Sequence, residues 1–187
     1  LKSFDLEETD AEIVPAGFLI DYLEKTTNAK IPHINSIKKY SDNEFLMMDD
    51  SSRRNLELTE NMRDGTSDYS LLECVNFSKT AMGFRLLRNW ILFPLTNLKQ
   101  IEDRQNRITT FYKDRTLLEK VRADLSNILD VERLTGRIAM DKAHPKDLQA
   151  LKLSLIGWLN AREILCDYDF SLIDDELALN IIDLIDK

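Results

Sequence analysis

Apolar residues recur along this chain at helical rather than strand spacing. In "TAMGFRLLRNWILFPL", Thr80 to Leu95, about 100° per residue places Met82, Phe84, Leu86, Leu87, Trp90, Ile91 and Phe93 on an arc roughly 200° wide. Arg85, Arg88, Asn89 and Leu92 fall on the remaining sector. So wide an apolar face predicts a helix buried nearly all round, with Leu86 and Trp90 in the core and the arginines in one narrow polar stripe. Thr80 is positioned to cap it and Pro94 to stop it.

The same reading predicts a first helix over about 11–28, with Asp10 as N-cap, Pro15 in its early turns, and Phe18/Tyr22 and Leu19/Leu23 as i,i+4 pairs. "HINSIKKY", the turn-like "SDNE" and "FLMMD" predict one short β-hairpin near the N-terminus. A helix "SSRRNLELTENM" then starts at Asp50 or Ser51, and Ser67 or Thr66 caps a short helix around "YSLLECV". Asn97 caps "LKQIEDRQNRITTFY", which has Ile101, Ile108 and Phe111 inward. "TLLEKVRADLSNIL" and "DVERLTGRIAM" follow, then "PKDLQALKLSLIGWLNAREIL" with Pro145 in its first turn and Leu148, Leu151, Leu155, Trp158 and Leu159 in one stripe. A weaker helix over about Ile173 to Ile185 closes the chain. The expected fold class is mainly α: a multihelical core of packed helices plus that hairpin.

Five glycines and four prolines in 187 residues agree with this class, and a chain of that length buries about 70% of its unfolded surface without a disulfide or metal staple. The net charge of −8 opposes long-range attraction to phosphate. Cys74 and Cys166, far apart and within apolar patterns, read as reduced, core-filling thiols of an intracellular protein. The sequence has no apolar run of membrane-span length. Beginning on Leu1 and ending on the uncapped "LNIIDLIDK", it reads as a piece of a longer protein.

Candidate chemistry is sparse. The chain has neither a G-x-x-x-x-G-K-[ST] nor a G-x-G-x-x-G phosphate cradle. His33 and His144 stand alone, away from ligand spacing, and read as loop or cap residues; no catalytic, cofactor-binding or metal residue is assigned. Two polar clusters stand out. In "SSRRNLEL", Arg53, Arg54, Asn55 and Glu57 crowd the predicted hairpin–helix junction, either solvated and closing local hydrogen bonds or holding two sub-bundles in register. In "DVERLTGRI", Val131, Leu134 and Ile138 form an inward face, Asp130 can pair with Arg133, and Arg137 with Asp141. Gly136, costly inside a helix, suggests that another helix passes close by.

The chain resembles the core domain of the MutS family of DNA mismatch-repair proteins. The likeness runs from "AGFLIDYLEKT" and "IPHINSI" through "MDDSSRRNLEL", "SLLECVNFSKTAMGFRLLRNWILFPL" and "IEDRQNRI" to "DVERLTGRIAMDKAHPKDL". "RNLEL", then "TAMG-RLLR-W---PL", then "D-ERL-GRI" carry it, and "TAMG" has the bacterial wording. The chain departs from the family at Tyr69, where a glycine is usual, at Asn76 (usually aspartate) and at Ser78 (usually threonine). The resemblance implies residues 1–8 as the tail of a preceding connector domain and 9–187 as helical core before the clamp insertion. It marks Arg54, Asn55, Glu57, Gly83, Arg85, Arg88, Trp90, Pro94, Arg104, Asp130, Glu132, Arg133, Gly136, Arg137 and Asp147 as structural or interdomain residues.

It further implies a non-catalytic core that links an ATPase domain to mismatch-reading and clamp domains, all three lying outside this sequence. The parent would be a dimeric, cytoplasmic, DNA-dependent ATPase that uses ATP and Mg²⁺, holds mispaired DNA and has a MutL-type partner. A free-standing helical interaction module from a MutS-like protein with another DNA-related task is the alternative.

Overall fold

A computed structural model describes residues 13–27, 44–168 and 175–186. The chain divides into two units, Leu1–Asp42 and Asn43–Lys187. In the first, α1 spans Ile13–Thr27, and Lys25 pairs with Asp21 one turn earlier. The expected cap Asp10 lies outside the described residues.

The second unit contains α2 (Asp50–Asn55), α3 (Leu71–Val75), α4 (Ala81–Leu92), α5 (Leu98–Lys113), α6 (Arg115–Leu125), α7 (Val131–Ala139), α8 (Pro145–Leu165) and α9 (Asp175–Ile185). Local chemistry sets most starts: Asp49, Thr80, Asn97, Asp114 and Asp130 each accept a backbone N–H of their helix's first turn. At α8 the His144 N–H donates to the Asp147 carboxylate (3.0 Å), and Pro145 occupies the first helical position, where no N–H is needed. The cap of α3 is Ser70 rather than Ser67 or Thr66. Tyr69, at φ +62°, reverses the chain just before it, and a glycine there would carry no Cβ penalty.

The predicted helix from Ser51 to Met62 is shorter than expected. It stops at Asn55 because Glu57 enters the left-handed region at φ +48°, where the N–H groups of Glu57 and Leu58 close onto the Arg54 and Arg53 carbonyls. Asp141, at φ +54°, ends α7 in the same way, through bonds from Asp141 and Lys142 to Ile138 and Arg137.

The expected hairpin is not formed, and no strand is present among the described residues. "HINSIKKY" lies outside them. Phe45 instead makes an isolated antiparallel bridge to Leu95, with Leu46 N–H donating to the Pro94 carbonyl (2.8 Å) and Thr96 N–H to that of Glu44 (3.2 Å). Pro94 ends α4 and leaves an extended stretch with free backbone groups, and residues 44–46 satisfy them.

α8 is the hub, packed against α6, α7 and α9. Its deepest face is Leu151, Ser154, Gly157 and Ala161, a stripe of mostly small residues rather than the expected leucine and tryptophan stripe; Leu148 is exposed. Leu117, Val121, Ile128, Leu134 and Ala178 complete this core. Ser154 is fully buried and satisfied: its hydroxyl donates to the Ala150 carbonyl (2.7 Å) and accepts the Leu129 N–H (3.0 Å).

Two further expectations are corrected. α4 is not buried nearly all round: Leu92, placed by the wheel on the polar sector, is its one buried residue, while Leu86 is 51% exposed and Trp90 37%. Both cysteines are exposed free thiols rather than core filling, because the faces carrying them are not covered within the described residues.

Candidate functional site

Polar contacts gather where the N-terminus of α7 meets α4. Arg85 of α4 grips Asp130 with both terminal nitrogens, Nη1 to Oδ2 at 2.8 Å and Nη2 to Oδ1 at 2.7 Å, and its Nε donates to Glu132 Oε2 at 3.0 Å. A planar guanidinium matches a carboxylate edge in this two-point manner, which fixes direction as well as distance. Asp130 also accepts the Arg133 N–H at 3.3 Å and takes that residue's guanidinium at 3.2 Å. The expected Asp130–Arg133 pair is thus one arm of a larger cluster that reaches 45 residues back along the chain.

The helix α7 N-terminus favours negative charge, so its cap serves as the anchor for a cation from elsewhere. The Arg85 side chain is the main cause holding the Asp130 carboxyl at about 2, well below its usual 3.8. The same bonds raise the Arg85 guanidinium above its ordinary value. A carboxyl whose pKa is lower folded than unfolded adds stability in full above about pH 4, and that contribution is lost as pH falls toward 2. Asp130→Asn keeps a capping oxygen but loses the charge. It should lower the melting temperature at pH 7, with the difference from the parent chain shrinking from about pH 4 downward as pH falls through about 2. An equal deficit at both ends of a pH series of thermal melts would contradict this.

The expected Arg137–Asp141 pair is not made. Asp141 lies beyond the left-handed stop of α7, where i,i+4 helix geometry no longer applies, and Arg137 instead meets Asp147 in the first turn of α8 at 3.0 Å. Asp147 therefore ties α7 to α8 while closing the α8 cap. Arg122 of α6 donates to the Phe77 carbonyl at 3.0 Å, drawing the segment before α4 toward α6.

Other candidates meet elsewhere. Arg104 of α5 lies over the Trp90 ring of α4 with its guanidinium carbon 3.6 Å from the centroid, and burial lowers the Arg104 pKa. Arg53 covers Phe93 at 5.3 Å. Gly83 makes room for the cap of its own helix: a Cβ there would come within 3.0 Å of Thr80 Oγ1. Gly136 has no such reason, since a Cβ there would meet nothing within 4 Å, which removes the close helix contact expected of it. Glu57 accepts the Met62 N–H (2.6 Å) in the loop that follows it rather than at a hairpin junction, while Arg54, Asn55 and Arg88 are exposed.

Sequence reading missed Asn61, whose side chain organises the loop before α3. Its Nδ2 donates to Thr66 Oγ1 and the Asp68 carbonyl, both at 3.0 Å, while its Oδ1 accepts the N–H groups of Arg63 and Asp64 at 2.9 Å. The signal was the Asn-x-x-x-Gly spacing of "NMRDG", in which the asparagine folds back on its own loop and Gly65 takes φ +73°. Among the described residues no group of three or more His, Cys, Asp or Glu side chains could hold a metal ion, and no helix is long and apolar enough to cross a membrane.

Residues 51–187 match the family model described as MutS domain III. The chain is 49% identical over 155 residues to the DNA mismatch repair protein MutS of Treponema denticola, covering 83% of this chain and 17% of that protein. It is 43% identical over 155 residues to its counterpart in Syntrophomonas wolfei (83% and 18%) and 34% identical over 180 residues to that of Salinibacter ruber (95% and 20%). The chain therefore spans about a fifth or less of the length of the curated relatives it matches. The helices that Asp130 and Asp147 fasten together all lie within the matched region, and the chain belongs to the MutS family as its domain III.

Proposed function

We propose that this chain is the non-catalytic structural and allosteric core of a bacterial mismatch-repair ATPase, joining an ATPase domain to mismatch-recognition and clamp domains outside it. The observation that carries this reading is the Arg85 grip on Asp130 and Glu132, a directional contact that makes the position of α4 depend on that of α7. A coupling element needs stiff helices and an interface with discrete arrangements rather than a reacting group. Leu86 of α4, with the still exposed parts of Trp90 and of Phe93 just beyond the helix, supplies apolar surface for the rest of such a protein to cover. In that setting ATP and Mg²⁺ belong to the ATPase domain, mispaired DNA to the other domains of a homodimer, and a MutL-type protein to its partners in the cytoplasm.

The test is Arg85→Gln in the intact protein. Affinity for mispaired duplex without nucleotide should stay within about twofold, while ATP-driven release should change by about fivefold or more, the lower end of ordinary coupling between sites. Unchanged release kinetics would overturn the coupling role.

A further inference from the structure

In the helical unit, Arg53, Arg85, Arg133, Arg137 and Arg162 each face a carboxylate. Arg54 and Arg88 have no such partner among the described residues, like Arg63, Arg104, Arg107, Arg115 and Arg122, but of these seven only Arg54 and Arg88 border a common cleft. The two line one cleft of about 550 Å³ between α2, the loop at 59–65 and α4. Arg53 stands beside them, held over Phe93, with its Nε buried and lacking an acceptor. Asp50 and Glu60 also border the cleft; Asp50 is 3.7 Å from Arg53, so the walls carry three guanidiniums against two carboxylates.

We propose that this cleft binds an acidic protein segment, taken through its carboxylates by Arg54 and Arg88. Guanidinium forks match carboxylate edges in pairs, and a cleft this size admits one or two side chains. A DNA duplex presents a charge about every 1.7 Å and calls for a row of cations, which a chain of net charge −8 does not offer. The inference rests on the reading of this chain as an interdomain core. A segment of the same polypeptide would reach the cleft at high effective concentration, since this chain covers 17–20% of its relatives.

The test uses the 187-residue chain and three fluorescein-labelled probes: the peptide Gly-Glu-Glu-Gly-Glu-Glu-Gly, its glutamine counterpart, and a single-stranded DNA oligonucleotide. Fluorescence anisotropy should show saturable binding of the glutamate peptide, weakened about tenfold or more by Arg88→Gln and by Arg54→Gln, the effect of losing one charge-assisted hydrogen bond. Arg107→Gln, on exposed α5 surface, should leave it unchanged. Absence of saturable binding, equal binding of the glutamine peptide, or indifference to both Arg54→Gln and Arg88→Gln would overturn the proposal. Tighter binding of the oligonucleotide than of the glutamate peptide would make this a phosphate site and overturn it as well. Loss of coupling in the intact protein leaves this binding unaffected, so the two readings fail separately.

Discussion

Replacing Leu134 with alanine is expected to destabilise the chain by about 2–5 kcal/mol, the range for deleting a buried leucine whose surroundings relax only in part. Leu134 is 4% exposed on the inner face of α7, which packs on the hub helix α8. Leu86→Ala, by contrast, should cost less than about 1 kcal/mol, because a side chain already 51% exposed loses little transfer energy and leaves no closed cavity. Urea melts of the two variants decide between the wheel and the fold. Equal losses would mean that α4 is covered in solution as the amphipathic pattern first suggested.

Gly157→Leu is expected to cost about 1–3 kcal/mol by overpacking the contact between α8 and the end of α6. Even a bare Cβ at this buried glycine would lie 3.3 Å from Ile128 Cγ1 and 3.4 Å from the Asp124 carbonyl oxygen, and the carbonyl belongs to backbone that cannot turn aside. Gly136 is the control. With nothing within 4 Å of its Cβ, Gly136→Ala should stabilise the chain by roughly 0.5–1 kcal/mol through the lower conformational entropy of the unfolded state. Thermal melts should therefore move in opposite directions for Gly157→Leu and Gly136→Ala. Movement in the same direction would show that the two helical glycines had been assigned the wrong roles.

Those two glycines mark the limit of what pattern can say. Both interrupt helices that are otherwise regular, and the cost of glycine in a helix interior gives each the same reason to attract notice. Gly136 drew it because it lies in a charged, family-like motif. Gly157 is the one whose missing side chain lets another segment approach, and its signal was the small-residue spacing Ala150, Ser154, Gly157, Ala161. The polar clusters divide in the same way. Asp130 and Arg133, three residues apart, were paired correctly from sequence, whereas the Arg85 contact, 45 residues distant, had no local trace.

The sequence by itself determined the helices and most of their starts, because a cap joins a side chain to a backbone N–H two or three residues away and needs no partner from elsewhere. It also carried the family, through motifs whose order and spacing survive whatever the packing. The tertiary structure decided which face of each helix is buried, which carboxylate each arginine meets, and that Phe45 bridges Leu95 instead of turning back in a hairpin. An amphipathic pattern says that an apolar face needs cover but not which neighbour provides it. For α4, most of that face remains open in this chain, so Leu92 is buried while Leu86 and Trp90 are not. Burial, long-range ion pairing and bridge partners are settled by the competition among distant segments for the same surfaces and backbone groups, and only the assembled fold resolves that competition.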